Sequence, residues 1–175
     1  MQQPFIQLRP MHGTDAETFA SWASDERFCE HAGWRLGAEP AEMLAFWAEL
    51  IADPPAELLR LTATSGGEII GYVDLHGPRA EERELGYVVG PSNRWGRGLG
   101  SAIAAAGVAH AFDVLHLDSI WAEALAANAP SVQILRSLGM QETGIGSDET
   151  FLREPTHYIQ FRLDRHDRML PATPA

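Results

Sequence analysis

The sequence predicts a mixed α/β fold, an α+β arrangement in which a central, mostly antiparallel sheet carries helices on both faces. Three observations lead there. Hairpin-linked strand patterns fill the first half of the chain. Strand–helix–strand units follow in the second half, and such units place helices against a sheet. The chain has 175 residues with 45% hydrophobic content, enough for one full core.

The elements follow in order. Phe5 to Arg9 alternates apolar and polar residues and predicts the first strand. Thr14 and Glu17 have capping-box spacing, so a helix is expected from about Asp15 to Ala23. Asp25 to Arg35 has no clean period and reads as a loop or broken helix. Pro40 suits a first helical turn, and Met43, Leu44, Trp47, Leu50 and Ile51 recur at helical spacing until Pro54-Pro55. Leu58–Thr64 and Glu68–Leu75 flank Ser65-Gly66-Gly67, a hairpin signal. Glu84–Val89 predicts a fourth strand, ended by Gly90-Pro91. A glycine-rich stretch then precedes a helix expected to reach about Leu115. Ser119–Leu125 predicts a strand, and Asn128 opens a short helix with Pro130 in its first turn. Gly139 is placed to end that helix. Met140–Gly144 and His157–Leu163 predict the last strands. One domain is expected over 1–164, with a loose tail over 165–175.

Composition excludes several function classes. The 24 acidic residues outnumber 13 basic ones, for a net charge of −11. That disfavours nucleic acid and favours a cationic or amine-bearing partner. All 13 basic residues are arginine, so Walker-type phosphate loops and lysine-based covalent catalysis have no lysine to use. Cys29 is the only cysteine, which rules out internal disulfides and cysteine-based metal sites. No His/Asp/Glu cluster has metal-ligand spacing, so no metal is expected. No apolar run is long enough to span a membrane, and no secretory leader is visible. A cytoplasmic location and no membrane partner are therefore expected.

The stretch N-R-W-G-R-G-L-G-S, Asn93 to Ser101, raises the functional question. Glycine costs roughly 0.5–1 kcal/mol relative to alanine in regular structure. A glycine-rich loop entering a helix points free N–H groups at one spot, where the helix dipole adds positive potential. An anion such as phosphate fits. The dinucleotide fingerprint fails, because Gly96, Gly98 and Gly100 put the third glycine one residue early.

Trp95 to Gly100 resembles the acetyl-CoA pyrophosphate loop of the GNAT superfamily of N-acetyltransferases, Q/R-x-x-G-x-G/A. N-A-P-S-V-Q-I-L-R-S-L-G-M, Asn128 to Met140, resembles the N-x-x-S-x-x-x-L-x-x-x-G-F signature of its RimJ/RimL-like branch, with Met140 for Phe. E-L-G-Y-V-V, Glu84 to Val89, matches the strand feeding the loop. The resemblance implies a GNAT-like fold whose fourth and fifth strands splay apart. It implies acetyl-CoA as co-substrate, its pyrophosphate on the amides of Gly96, Arg97, Gly98, Leu99, Gly100 and Ser101. Arg94 or Arg97 would add charge, Trp95 would support the loop, and the pantetheine arm would pair with the edge at Tyr87, Val88 and Val89. The Asn128 amide would hold the arm.

Acetyl transfer to an amine needs a base, a donor for the oxyanion, and a proton or dipole for the thiolate. Many members of the superfamily use a tyrosine for the thiolate; Leu135 stands at that position here, so Ser131 is the candidate. Serine is equally an ordinary helix-start residue. Glu84 is the candidate base, against the plain alternative of a surface strand glutamate. Asp74 and His76 are weaker candidates at the end of the third strand. Glu30, His31 and Trp34 lie in the irregular segment expected to cover the acceptor. Trp34, like Trp22 and Trp47, is most simply a core or groove aromatic. The expectation is an acetyl-CoA-dependent N-acetyltransferase acting on a primary amine, either a protein N-terminus or a small cationic amine. The rival is a non-catalytic acyl-CoA-binding module of the same fold. Oligomeric state is left open, with a homodimer among the options.

Overall fold

The computed structural model describes residues 4–168. Seven strands form one sheet in the order β1-β2-β3-β4-β5-β7-β6. They are β1 (Gln7–Pro10), β2 (Leu58–Ser65), β3 (Glu68–His76), β4 (Glu82–Val89), β5 (Ser119–Leu125), β6 (Gln141–Phe151) and β7 (Glu154–Asp164). Every neighbouring pair is antiparallel except β4–β5. The helices are α1 (Asp15–Ser21), α2 (Glu26–Ala32), α3 (Pro40–Ala52), α4 (Leu99–Ala109), α5 (Ala129–Ser137) and the single turn α6 (Arg165–Arg168).

Alternation along each strand sorts the side chains onto two cores. Val73, Leu75, Leu85, Ile120, Ala122 and Phe161 point to one face and pack against Ile103, Val108, Phe112, Val132 and Leu135 of the α4–α5 side. Tyr72 and Val88 point the other way, onto Phe19, Trp22, Phe28, Cys29 and Trp47. That second core is aromatic. Phe19 meets Trp22 edge-on at 5.0 Å and lies 4.7 Å from Trp47.

Most boundaries follow from the local chemistry read in the sequence. Gly66 and Gly67, at φ 60° and 86°, close the two-residue turn between Ser65 and Glu68. Pro40 starts α3, and α4 continues through the wider turn His110–Val114 to the expected end.

Three segments differ from the sequence expectation. Asp25 to Arg35, expected as a loop or broken helix, is a capped helix broken at Gly33: Asp25 accepts from the Phe28 amide at 3.0 Å, and Gly33 closes α2 in the left-handed region at φ 67°. Caps at both ends define this short helix, which is too brief to display a period. Thr14 makes no capping hydrogen bond. Its neighbour Asp15 is the hub instead, taking Arg9 at 2.7 and 2.9 Å, the His12 amide at 3.0 Å and Thr62 Oγ1 at 2.8 Å. The last two strands are longer than expected and form a hairpin that turns at Leu152 and Arg153, at φ 50° and 71°. β6 is exposed along most of its length, so no hydrophobic alternation marks it. The expected tail begins with α6, whose Arg168 pairs with Asp113; the rest of that tail lies outside the described residues.

Two features can be tested by stability. A Cβ at Gly71 would stand 2.0 Å from the Val88 carbonyl oxygen, so only glycine lets β3 and β4 approach there. Gly71→Ala should lower unfolding free energy by roughly 1–3 kcal/mol or more in urea titrations; wild-type stability would refute this close approach. Burial raises the pKa of Asp15, but hydrogen bonds from Arg9, His12 and Thr62 outweigh it and hold the carboxyl below its ordinary value. A depressed folded pKa stabilises above the unfolded value, and that stability is lost as pH falls through the folded one. The urea midpoint should therefore drop on acidification below about pH 4, and Asp15→Asn should flatten that drop.

Candidate active site

β4 and β5 pair only from Glu82–Ser119 through Glu84–Trp121. Beyond that point β4 stays with β3 as far as Val89, and β5 stays with β7 as far as Leu125. The strands part, and the β4 edge from Gly86 onward has no partner strand on that side. A groove of about 550 Å³ occupies the gap. Tyr87, Val88 and Val89 line one wall, Asn128 and Ser131 the other, and the glycine loop closes the end.

The loop is built for an anion. Gly96 and Gly98 lie in the left-handed region at φ 75° and 77°, and Gly98 is the residue just before α4. The first-turn amides of Leu99, Gly100 and Ser101 have no intrahelical acceptor and border the groove. Trp95 braces the loop by donating its indole N–H to the Val89 carbonyl at 2.8 Å. Gly100 packs tightly, since a Cβ there would stand 2.9 Å from Ile134 Cδ1.

The two expected arginines fare differently. Arg94 spends its guanidinium on the Ile69 carbonyl at 2.6 Å and on Glu68 at 3.2 Å. Arg97 is exposed and does not line the groove. The cation that does line it, besides Arg94, is Arg27 on α2, whose guanidinium lies 5.3 Å over the Trp95 ring. The sequence pattern hides Arg27 because α2 reads there as loop; on a helix, Arg27 and His31 share one face. Asp25 is hidden for the same reason. Besides capping α2, it accepts from the Ser92 amide at 2.7 Å and from Ser92 Oγ at 3.0 Å, tying α2 to the turn before the loop.

His31 sits on the groove side, 4.9 Å from Trp95 and 5.3 Å from Phe151 of the β6–β7 hairpin. Glu30 pairs with Arg153 of the same hairpin at 3.8 Å. Trp34 packs among Phe28 and Trp47 in the aromatic core. These three residues therefore tie α2 and its flank to the hairpin and core rather than forming an open loop.

On the α5 wall, Asn128 Oδ1 caps the helix by accepting from the Ser131 amide at 3.5 Å. Asn128 lines the groove, its Nδ2 has no hydrogen-bond partner among the described residues, and the Ser131 hydroxyl takes no part in the cap.

The sheet face toward α1–α3 carries the other candidates. Register places His76 beside Glu84, Asp74 beside Gly86, and Trp121 beside Glu84, while Glu123 pairs with Gln160. Asp74 is bound by Arg60 in a two-pronged pair at 2.6 Å on each prong, which leaves it structural. Among the described residues Glu84 has one opposite-charge neighbour within 4.0 Å, the His76 ring. Burial, then the charges of Glu123 and Asp74, push the Glu84 carboxyl above its ordinary pKa, against a smaller opposing effect of His76. Tyr158 is likewise raised, by burial and then by Glu149, Glu123 and Glu84. Glu123 and Tyr158 flank Gly146, each about 3.0 Å from where a Cβ would stand there. Glu123 accepts from Gln160 Nε2 at 2.8 Å. Far from the groove, folding brings Asp164, His166 and Asp167 within 4.8 Å, a grouping that the sequence pattern does not single out.

Comparison with known proteins gives the family. The acetyltransferase (GNAT) domain model matches residues 6–141. An uncharacterized N-acetyltransferase p20 from Bacillus licheniformis is 26% identical over 151 residues, 82% of this chain and 83% of that protein. The spermidine N-acetyltransferase of Vibrio cholerae, crystallised with CoA and spermine, superposes with a TM-score of 0.78 at 15% identity, over 94% of this chain and 98% of that one. An aminoglycoside acetyltransferase in complex with coenzyme A gives a TM-score of 0.72 at 18% identity, over 93% and 96%. The chain belongs to the GNAT acetyltransferase family.

If the loop amides are to seat a pyrophosphate, Gly98 is a direct test. Nothing lies within 4 Å of a Cβ there, so packing is not at stake, but φ +77° is strained for any side chain. Gly98→Val should keep a cooperative melt and weaken coenzyme A binding by tenfold or more, on the order of 1.4 kcal/mol, in calorimetry. Unchanged affinity would remove the loop from the site.

Proposed function

We propose that this GNAT-family chain transfers an acetyl group from acetyl-CoA to the primary amine of a small cationic acceptor, through a site held within residues 1–164. The observation that carries the reading is continuity. One groove runs from a glycine-rich helix start along the parting of β4 and β5, and Glu84, which does not line it, is the partly buried last β4 residue paired to β5.

The fit to acetyl-CoA rests on three features. Amides at the start of α4 suit the pyrophosphate. The unpaired edge of β4 suits an amide-bearing arm. Asn128 Nδ2 is free to meet that arm from the other wall. Bound there, acetyl-CoA supplies an activated acyl carbon. Glu84 then takes the ammonium proton, directly or through water, and its raised pKa makes it a better match to that proton.

The acceptor class is argued from charge. Glu84 and Glu123 stand on one face of the neighbouring strands β4 and β5, and Arg60, a guanidinium on the same side of the sheet, is already held by Asp74. A cation answers that field. The structural neighbours named for spermidine and for aminoglycosides take cationic amines, in keeping with this reading. A protein N-terminus is the second reading, favoured by the likeness of Asn128–Met140 to the RimJ/RimL-like signature. A cytoplasmic location belongs to the proposal and rests on the single, buried, unpaired Cys29. Among the described residues no helix is long and apolar enough to cross a membrane. A non-catalytic CoA-binding role would leave the Glu84 cluster without a purpose.

Thiol release from acetyl-CoA over a panel of polyamines, aminoglycosides, amino acids and N-terminal peptides tests the reading; a cationic amine should be turned over fastest. Glu84→Gln should cut kcat by about 10²–10⁴ with acetyl-CoA affinity intact. Glu123→Gln removes a neighbouring negative charge, so the Glu84 pKa should fall. Because the base acts deprotonated, the acid limb of the pH–rate profile should move to lower pH. A limb that stays put, or moves up, would take Glu84 out of the base role.

A further inference from the structure

Tyr87 is the unexplained group in the groove. It projects from β4 toward the α4–α5 core, its ring packs there, and the residue lines the groove. Its hydroxyl is sealed from solvent and has no hydrogen-bond partner among the described residues. A buried hydroxyl without a partner is unfavourable relative to a paired one, so a tyrosine here in place of phenylalanine asks for a reason. The side chain beside it that can pair is Ser131, whose hydroxyl is spent on no cap and no backbone carbonyl. Ser131 in turn borders the gap between the parted strands.

We propose that Tyr87 and Ser131 form a relay: the buried phenol donates to Ser131 Oγ, which turns the serine proton into the groove toward the sulfur of the acyl donor. The two hydroxyls lie near one another without a formed hydrogen bond; the relay closes when the Ser131 hydroxyl turns to accept. Its direction follows from the surroundings. Among the described residues the Tyr87 hydroxyl has no hydrogen-bond partner, so in the relay its proton goes to Ser131, and Ser131, which lines the groove, donates into it. Burial holds the phenol at a pKa of about 12, so it stays a donor across the working pH range.

The relay rests on the acetyl-transfer reading for its chemistry. As the amine nitrogen forms its bond to the acyl carbon, the C–S bond breaks and its electron pair goes to sulfur. Glu84 receives the amine proton on the other face. Ser131 stabilises the thiolate by hydrogen bond, polarised by Tyr87 behind it, and the thiolate takes its proton from water on release. Linked donors strengthen one another, which answers the weakness of an isolated serine as a donor. Ser131 is thus the catalytic residue and Tyr87 the positioning residue.

The test has a binding arm and a turnover arm. Calorimetry compares coenzyme A with desulpho-coenzyme A, which lacks the thiol, at pH 7 and at a pH above the thiol's ionisation. Wild type should prefer coenzyme A, increasingly so as the thiolate forms. Tyr87→Phe and Ser131→Ala should both lose that pH-dependent preference while binding desulpho-coenzyme A as wild type does; Ser131→Thr, which keeps the hydroxyl, should restore it. In turnover, Tyr87→Phe should lower kcat between about tenfold and a hundredfold with KM for acetyl-CoA unchanged. The double variant should be no slower than Ser131→Ala alone. A Tyr87→Phe protein that keeps the preference, or losses that multiply in the double variant, would overturn the relay. If wild type releases no thiol with any amine, the acetyl-transfer reading fails, while the binding arm still decides whether the paired hydroxyls face sulfur.

Discussion

The structure depends on one broken pairing. β4 and β5 run parallel and share hydrogen bonds only from Glu82 to Glu84, then each follows its other neighbour. Backbone groups left open inside a fold are costly unless something meets them, so the parting of two central strands is a constraint that the rest must accommodate. It is held in place from both sides. Glu82 takes Ser119 Oγ at 3.1 Å and also Arg162, which pins β4, β5 and β7 together at the paired end. At the open end, the Trp95 indole takes the Val89 carbonyl and the Gly90 amide takes Ile70 O at 3.1 Å, which stops β4 from closing the gap.

The two faces of the sheet then acquire different characters. The α4–α5 side is mostly aliphatic, and the Tyr87 hydroxyl is buried there without a partner among the described residues. The α1–α3 side mixes a tight aromatic cluster with charge. Arg60 stacks over Tyr72 at 4.5 Å and clamps Asp74, leaving Glu84 and Glu123 as the carboxylates that shape the field at the gap. A cofactor arm arriving from one face and an amine from the other would meet only where the strands part. Asp25, Arg27, Glu30 and His31 make α2 a brace as well as a core element. It is bound to the turn before the glycine loop at its start and approaches the β6–β7 hairpin along its length.

Much of this was legible in the sequence because the signals are local. A glycine pair between two strands needs only its own φ angles, and the glycine loop before an apolar helix carries its meaning in consecutive amides. Glu84 became a candidate through alternation along its own strand together with the family resemblance of that strand. The misses share one cause. α2 is too short for periodicity, and β6 is too exposed for alternation, so neither leaves a hydrophobic trace. Without α2, Arg27 could not be placed over Trp95.

The sequence by itself determined the order of the strands and of the helices other than α2, the glycine-rich helix start and the candidate base, since each is written within a few neighbouring residues. Tertiary structure alone decided which candidates are free to act. Asp74 is taken by Arg60 and Arg94 by Ile69 and Glu68. Asn128 takes over the capping that Ser131 was suited to, and Tyr87 is sealed beside Ser131. Those outcomes depend on which side chains meet across the sheet, and a hydrogen bond can be spent only once, on whichever partner packing brings within reach.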